Sequence, residues 1–122
     1  MILVDSSVWV EHLRAGQPAL TELLNNNRVL VHPFVIGELA CGNLKNRKVV
    51  LSLLQDLPAA MVATDDEVLF FIERQGLMGK GMGYVDAHLL SAVAMAGSAK
   101  LWTRDKRLGA IAELMDLAFE AT

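Results

Sequence analysis

The chain has 122 residues, 53% of them hydrophobic and 20% charged, with 11 basic and 14 acidic side chains for a net charge of −3. That length suits one compact domain, residues 1–122, with a real core, and the composition excludes a disordered or fibrous chain. The balance gives no electrostatic footprint for nucleic acid, although setting several acids aside on bound cations leaves the remainder slightly basic.

The single cysteine, Cys41, has no internal partner for a disulfide, as expected in a reducing cytoplasm. The opening "MILVDSS" has no basic start of the secretory kind. The longest apolar stretch, Leu89 to Gly97, is broken by Ser91 and is too short for a bilayer. A cytoplasmic protein without a membrane segment is the expectation.

Along the chain, "ILV" at 2–4 is the first of five short apolar runs that suit strands covered on both faces. Pro18 opens a helix carrying Leu20, Leu23 and Leu24, and "VLV" at 29–31 follows as the second strand. Val49, Val50, Leu53, Leu54 and Leu57 keep helical spacing, ahead of a third run, "MVA" at 61–63. Thr64 and Glu67 form a capping box before Val68, Leu69, Phe71 and Ile72. The glycine-rich "GLMGKGMG" at 76–83 reads as a mobile loop. It leads into a helix from Tyr84 to Ala96, stopped by Gly97. "LWT" at 101–103, a helical stripe of Leu108, Ile111, Ala112 and Met115, and "LAF" at 117–119 complete the pattern. Strands separated by helices predict an α/β fold, a three-layer α/β/α sandwich with a mainly parallel five-stranded central sheet.

In such folds ligands gather beyond the carboxyl ends of the strands. Asp5 directly follows the first run, and Asp105 lies two residues past the fourth. Glu38 sits early on a helix entered from the second run, and Asp86 in the first turn of the helix leading to the fourth. Four acids distant in sequence are thus predicted to meet on one rim.

Glu38 and Asp86 look out of place. At helical spacing Glu38 has Phe34, Val35, Cys41 and Gly42 for neighbours, and Asp86 has Met82, Gly83, Leu89 and Leu90, none of them a cation. A buried carboxylate must protonate, reach water or find a cation, because its desolvation costs about several kcal/mol. A shared ion answers for both, and oxygen-only ligands select Mg²⁺ or Mn²⁺ over zinc. Such an ion on an acidic rim suits phosphoryl chemistry, since it polarises phosphate and activates water.

Ordinary roles compete with this reading. Asp5, Asp86 and Asp105 each stand where a helix cap or first-turn acid is favoured; mid-helix Glu38 has the weakest such alternative. Asp65 and Asp66 read as helix-start residues. His12, His32 and His88 lack ligand spacing and read as surface or satisfied core residues. Cys41 reads as a small buried hydrophobe, and Trp9 and Trp102 as packing residues, with Trp9 also suited to a subunit interface. Gly79, Gly81 and Gly83 do not follow a strand, which excludes a dinucleotide fingerprint; Lys80 among them stands near where a phosphate would approach. "KNRK" at 45–48 and "RDKR" at 104–107, with Arg104 and Lys106, suit RNA phosphates or plain solvated surface equally.

With these residues assembled, the sequence resembles the PIN-domain ribonucleases, specifically the VapC toxins of toxin–antitoxin pairs. "ILVDSSVWVEHL" resembles the family's opening strand with its Asp and following hydroxyl. "GELACG", "GMGYVDAHLLSAV" and "LWTRDKRL" resemble its segments bearing the Glu, the central Asp and the Thr-x-Asp pair. The resemblance covers essentially the whole chain. It implies that Asp5, Glu38, Asp86 and Asp105 bind metal and catalyse, with Ser6 or Ser7 and Thr103 as bracing hydroxyls. It also implies Mg²⁺- or Mn²⁺-dependent endonuclease cleavage of RNA, a homodimer, and a VapB-like antitoxin whose C-terminal segment blocks the cleft. Two alternatives stand beside it: a receiver-like signalling module, which leaves Glu38 unexplained, and a metal-dependent phosphatase or DNA nuclease on the same rim.

Overall fold

The computed structural model describes residues 1–121. β1 (Ile2–Val4) lies at the centre of a parallel sheet of order β2-β1-β3, flanked by β2 (Val29–Leu30) and β3 (Lys100–Trp102). Leu3 stands opposite Leu30 on one side and Leu101 on the other. All three β1 residues are buried, as befits a strand covered by helices on both faces.

Among the described residues the expected five strands are three, each edge being extended by a single bridge, Val31 with Ala59 and Leu101 with Ala118. At the first edge the Pro58 carbonyl accepts the Val31 N–H at 2.9 Å and the Ala60 N–H donates to the Val31 carbonyl at 2.8 Å. Beyond Val31 the partner chain enters α3 at His32 and Pro33 and offers no further ladder, and the chain after Ala60 turns outward with Met61 and Val62 exposed. The run at 61–63 is therefore not a strand. At the other edge the Leu117 carbonyl and the Phe119 N–H bond to Leu101 at 2.7 and 2.8 Å, and the pairing goes no further. Such short edges offer little template for another chain.

The helices follow the apolar spacing. α1 (Ser6–Ala15) starts immediately after β1, and α2 (Pro18–Asn25) begins on its proline. α3 (Pro33–Ala40) follows β2 and is capped by His32, whose Nδ1 accepts the Phe34 N–H at 3.0 Å. α4 (Arg47–Gln55) precedes the edge bridge, and α5 (Asp65–Gln75) carries the full Thr64–Glu67 capping box. α6 (Tyr84–Ala96) is the most enclosed helix, with every residue from Ala87 to Val93 buried; Gly97, at φ +78°, ends it. α7 (Lys106–Leu114) follows β3. Leu3, Leu20, Leu89, Leu90, Leu101 and Leu108 form the fully buried centre of the core. Trp9 and Trp102 pack into that core as expected, whereas Cys41, expected to be buried, is exposed at the end of α3. Among the described residues no helix is long and apolar enough to cross a membrane.

Candidate active site

Parallel pairing of β1 with β3 brings Asp5 and Thr103 to the same sheet edge, where the Asp5 N–H donates to the Trp102 carbonyl at 2.9 Å. Asp5 is the deepest acid of the site, 6% exposed. Its Oδ1 accepts the Ser6 N–H at 2.8 Å, capping α1. Its Oδ2 accepts both the Ser7 hydroxyl at 2.9 Å and the Thr103 hydroxyl at 2.7 Å. Those hydroxyls accept in turn from the Arg104 and Asp105 N–H groups, at 3.0 and 3.1 Å. Ser7 and Thr103 thus fix the Asp5 carboxylate while tying β1 to the chain beyond β3. Ser6 has a separate part: its hydroxyl donates to Glu38 Oε1 at 3.3 Å and lies 3.5 Å from Asp5 Oδ1.

Asp86, half-buried in the first turn of α6, accepts the Gly83 N–H through Oδ2 at 3.3 Å. Asp105 caps α7 by accepting the Leu108 N–H through Oδ1 at 2.8 Å. The ordinary cap roles of Asp5, Asp86 and Asp105 are therefore real, and Asp86 and Asp105 each keep one oxygen with no protein partner among the described residues. Glu38 corrects the sequence reading: it is exposed, on the same side of α3 as Phe34, while Val35 and Leu39 face the core. Partial burial and then the neighbouring acids nevertheless disfavour its charged form.

The acids share one field. Partial burial and the negative charges of Asp5 and Asp86 hold the Glu38 carboxyl above its ordinary pKa, against the opposing hydrogen bond from Ser6. Partial burial and the charges of Asp5 and Asp105 raise that of Asp86, against the opposing bond from Gly83. Among the described residues none of the four acids is ion-paired with a basic side chain. A set of oxygen donors that repel one another and lack a basic partner fits a hard divalent cation. As the side chains stand, no three His, Cys, Asp or Glu groups among the described residues converge closely enough to hold an ion. To hold an ion, these side chains would have to rotate toward a common centre. A concavity of about 300 Å³ opens beside Thr103 and Asp105, between β3, α7 and residues 118–120, but Asp86 and Glu38 do not line it.

Of the cations expected to meet a phosphate, Lys80 and Lys106 are exposed and form no ion pair among the described residues. Arg104 is engaged, with Nη1 3.2 Å from Glu11 Oε2.

The histidines depart from expectation. His12 accepts the Gln17 N–H at 3.0 Å, but His32 and His88 are buried and incompletely satisfied: His32 Nε2 and both His88 nitrogens have no hydrogen-bond partner among the described residues. Asp65 Oδ1 lies 3.4 Å from His88 Nε2, out of line for a hydrogen bond, and instead accepts the Tyr84 hydroxyl at 2.7 Å. Burial, with neighbouring His88, lowers the His32 pKa to about 4, so this ring is neutral in ordinary conditions. Phe34 and Tyr84 pack edge-on against His88, at 4.6 and 4.7 Å between ring centres. This cluster joins the starts of α3, α5 and α6, and so holds the helices bearing Glu38 and Asp86. No sequence spacing announced it, because its members lie on three separate helices.

The family model described as "PIN domain" matches residues 2–114. The chain belongs to the PIN-domain family. Among PIN-domain relatives, Ribonuclease VapC32 of Mycobacterium tuberculosis, from strains CDC 1551 / Oshkosh and ATCC 25618 / H37Rv, is 56% identical over 110 residues. The match covers 90% of this chain and 89% of the relative, which places the chain in the VapC group of PIN domains. The crystal structure of FitAcB from Neisseria gonorrhoeae matches with a TM-score of 0.63 at 21% identity, over 97% of this chain and 95% of the other, and supports the fold. The family match sets the receiver-like alternative aside.

Proposed function

We propose that this PIN-domain protein is a divalent-metal-dependent endoribonuclease of the VapC toxin kind, formed by one domain over residues 1–122. The observation that carries the reading is the group of four carboxylates, Asp5, Glu38, Asp86 and Asp105, in one shared field with no basic counterpart. The 56% identity to Ribonuclease VapC32 supports RNA as the substrate.

These four acids would hold Mg²⁺ or Mn²⁺, which when bound polarises a phosphodiester and lowers the pKa of water. The chain's own residues supply the rest. Asp5 is locked by two hydroxyls and a backbone N–H, so it is the fixed member of the set. Ser6 steers Glu38 toward Asp5. Partial burial and neighbouring acids raise the pKa values of Glu38 and Asp86, and a bound cation would relieve that repulsion. Exposed Lys80 and Lys106 provide positive charge for the RNA backbone.

The same reading includes a VapB-like antitoxin covering the acidic cleft, a homodimer and a cytoplasmic setting. Purified free of any partner, the protein is expected to cut total RNA with Mg²⁺ or Mn²⁺ and to stop when EDTA is added. Undiminished cleavage in EDTA would defeat the metal assignment. Parallel assays on defined RNA, DNA and phosphomonoester substrates separate this reading from a DNA nuclease or a phosphatase.

A further inference from the structure

The basic stretch at the start of α7 contains three cations, and the structure distinguishes them. Arg104 is held by Glu11, and Lys106 is exposed with no ion pair among the described residues. Arg107 is seated. Its side chain lies so close to Gly81 that a methyl group there would stand 2.7 Å from Nη1, 3.0 Å from Cδ and 3.2 Å from Cζ. Gly81 also has φ +78°, a conformation that side-chain-bearing residues rarely adopt. Arg107 follows Asp105 by two residues, and Gly81 precedes Asp86 by five, so this contact joins the elements that present two of the four acids. The guanidinium nevertheless forms no ion pair among the described residues and is exposed.

A cation packed in place near carboxylates, but not spent on one, is available to an anion from outside. We infer that Arg107 binds a phosphate of the RNA backbone beside the acidic cleft, and that Gly81 is a glycine because any side chain would displace it. The inference rests on the nuclease reading above and picks out Arg107 within a basic stretch that the sequence marked only as a group. A guanidinium suits the task, because its planar fork meets two phosphate oxygens at once. Seating on Gly81 lowers the ordering cost of that encounter. A chain of net charge −3 also needs local positive charge to hold a polyanion, and exposed Lys80, which precedes Gly81, adds a cation to that loop.

The test uses the full chain with Asp86→Asn, which leaves RNA uncut, in Mg²⁺ with a single-stranded RNA. Adding Arg107→Ala is expected to weaken binding about tenfold, the scale of one charged hydrogen-bonded contact. It should also lessen the slope of log affinity against log salt by about 0.7, as for one lost phosphate contact. Arg107→Lys recovers part of the loss. Gly81→Ala weakens binding alone but adds little once Arg107 is gone, because both changes remove the same contact. In the otherwise unsubstituted enzyme Arg107→Ala raises KM more than it lowers kcat, while Mn²⁺ affinity measured without RNA is unchanged. Arg14→Ala, at the far end of α1, serves as the charge-matched control. Unchanged affinity and salt slope in Arg107→Ala, or a loss no greater than that of Arg14→Ala, would overturn the inference with the nuclease reading intact. If the unsubstituted protein neither binds nor cuts RNA, both fall together.

Discussion

Asp86 is the residue at which stability and chemistry oppose each other. Partial burial and two neighbouring acids disfavour its charged form, yet the proposed role as a metal ligand requires that form. Asp86→Asn keeps an oxygen for the Gly83 N–H and removes the repulsion. The variant should fold, lose about 100-fold or more of its RNA cleavage, and melt roughly 2–4 °C higher than the parent without metal, by differential scanning fluorimetry. The pH dependence has a definite sign. A carboxyl whose folded-state pKa is raised contributes stability at acid pH that is lost as pH rises through the raised value. The stability gap between Asp86→Asn and the parent should therefore widen from acid to neutral pH in EDTA and shrink when Mg²⁺ is added. Calorimetry of metal binding near the raised pKa values should show proton uptake by the buffer. A constant gap across that range would refute the coupling. The sequence pointed to Asp5 and Asp105 as acids just beyond apolar runs, and to Glu38 and Asp86 as carboxylates with apolar helical neighbours. For Glu38 the stated reason was wrong, since a helical neighbourhood does not show which side of α3 faces outward. His32 and His88 were illegible because their meeting is purely tertiary.

At the level of elements, helices were easier to foresee than strands. α5 declared itself through Thr64 and Glu67, and the structure contains both reciprocal bonds, at 3.1 and 2.9 Å. Thr64→Ala should cost about 1 kcal/mol in urea unfolding. It should leave RNA cleavage largely intact, because α5 carries none of the four acids. The strands were misjudged at the edges. "MVA" at 61–63 has the same apolar character as "ILV" at 2–4, but pairing needs a partner strand, and beyond Val31 the neighbouring chain has already entered α3. β3 also stops at Trp102, one residue before the expected end. That shift matters for the site: Thr103 is released from the ladder, and its hydroxyl turns to Asp5.

In the molecule as a whole, the core fixed what the site needs. A buried β1, between two parallel neighbours, determines which strand ends share an edge. Parallel order was foreseeable from helices alternating with apolar runs; the number of paired residues was not. The hydroxyl–carboxylate link between Thr103 and Asp5 spans 98 positions of the chain. During synthesis, then, the first acid emerges long before the residues that lock it in place, and a half-made polypeptide has no finished blade. A version truncated after Gly97 should release no cleavage products from RNA in Mg²⁺, even at high concentration. For an enzyme that destroys RNA, this delay shields the very message being translated until nearly all of the stretch from Asp5 to Asp105 has left the ribosome.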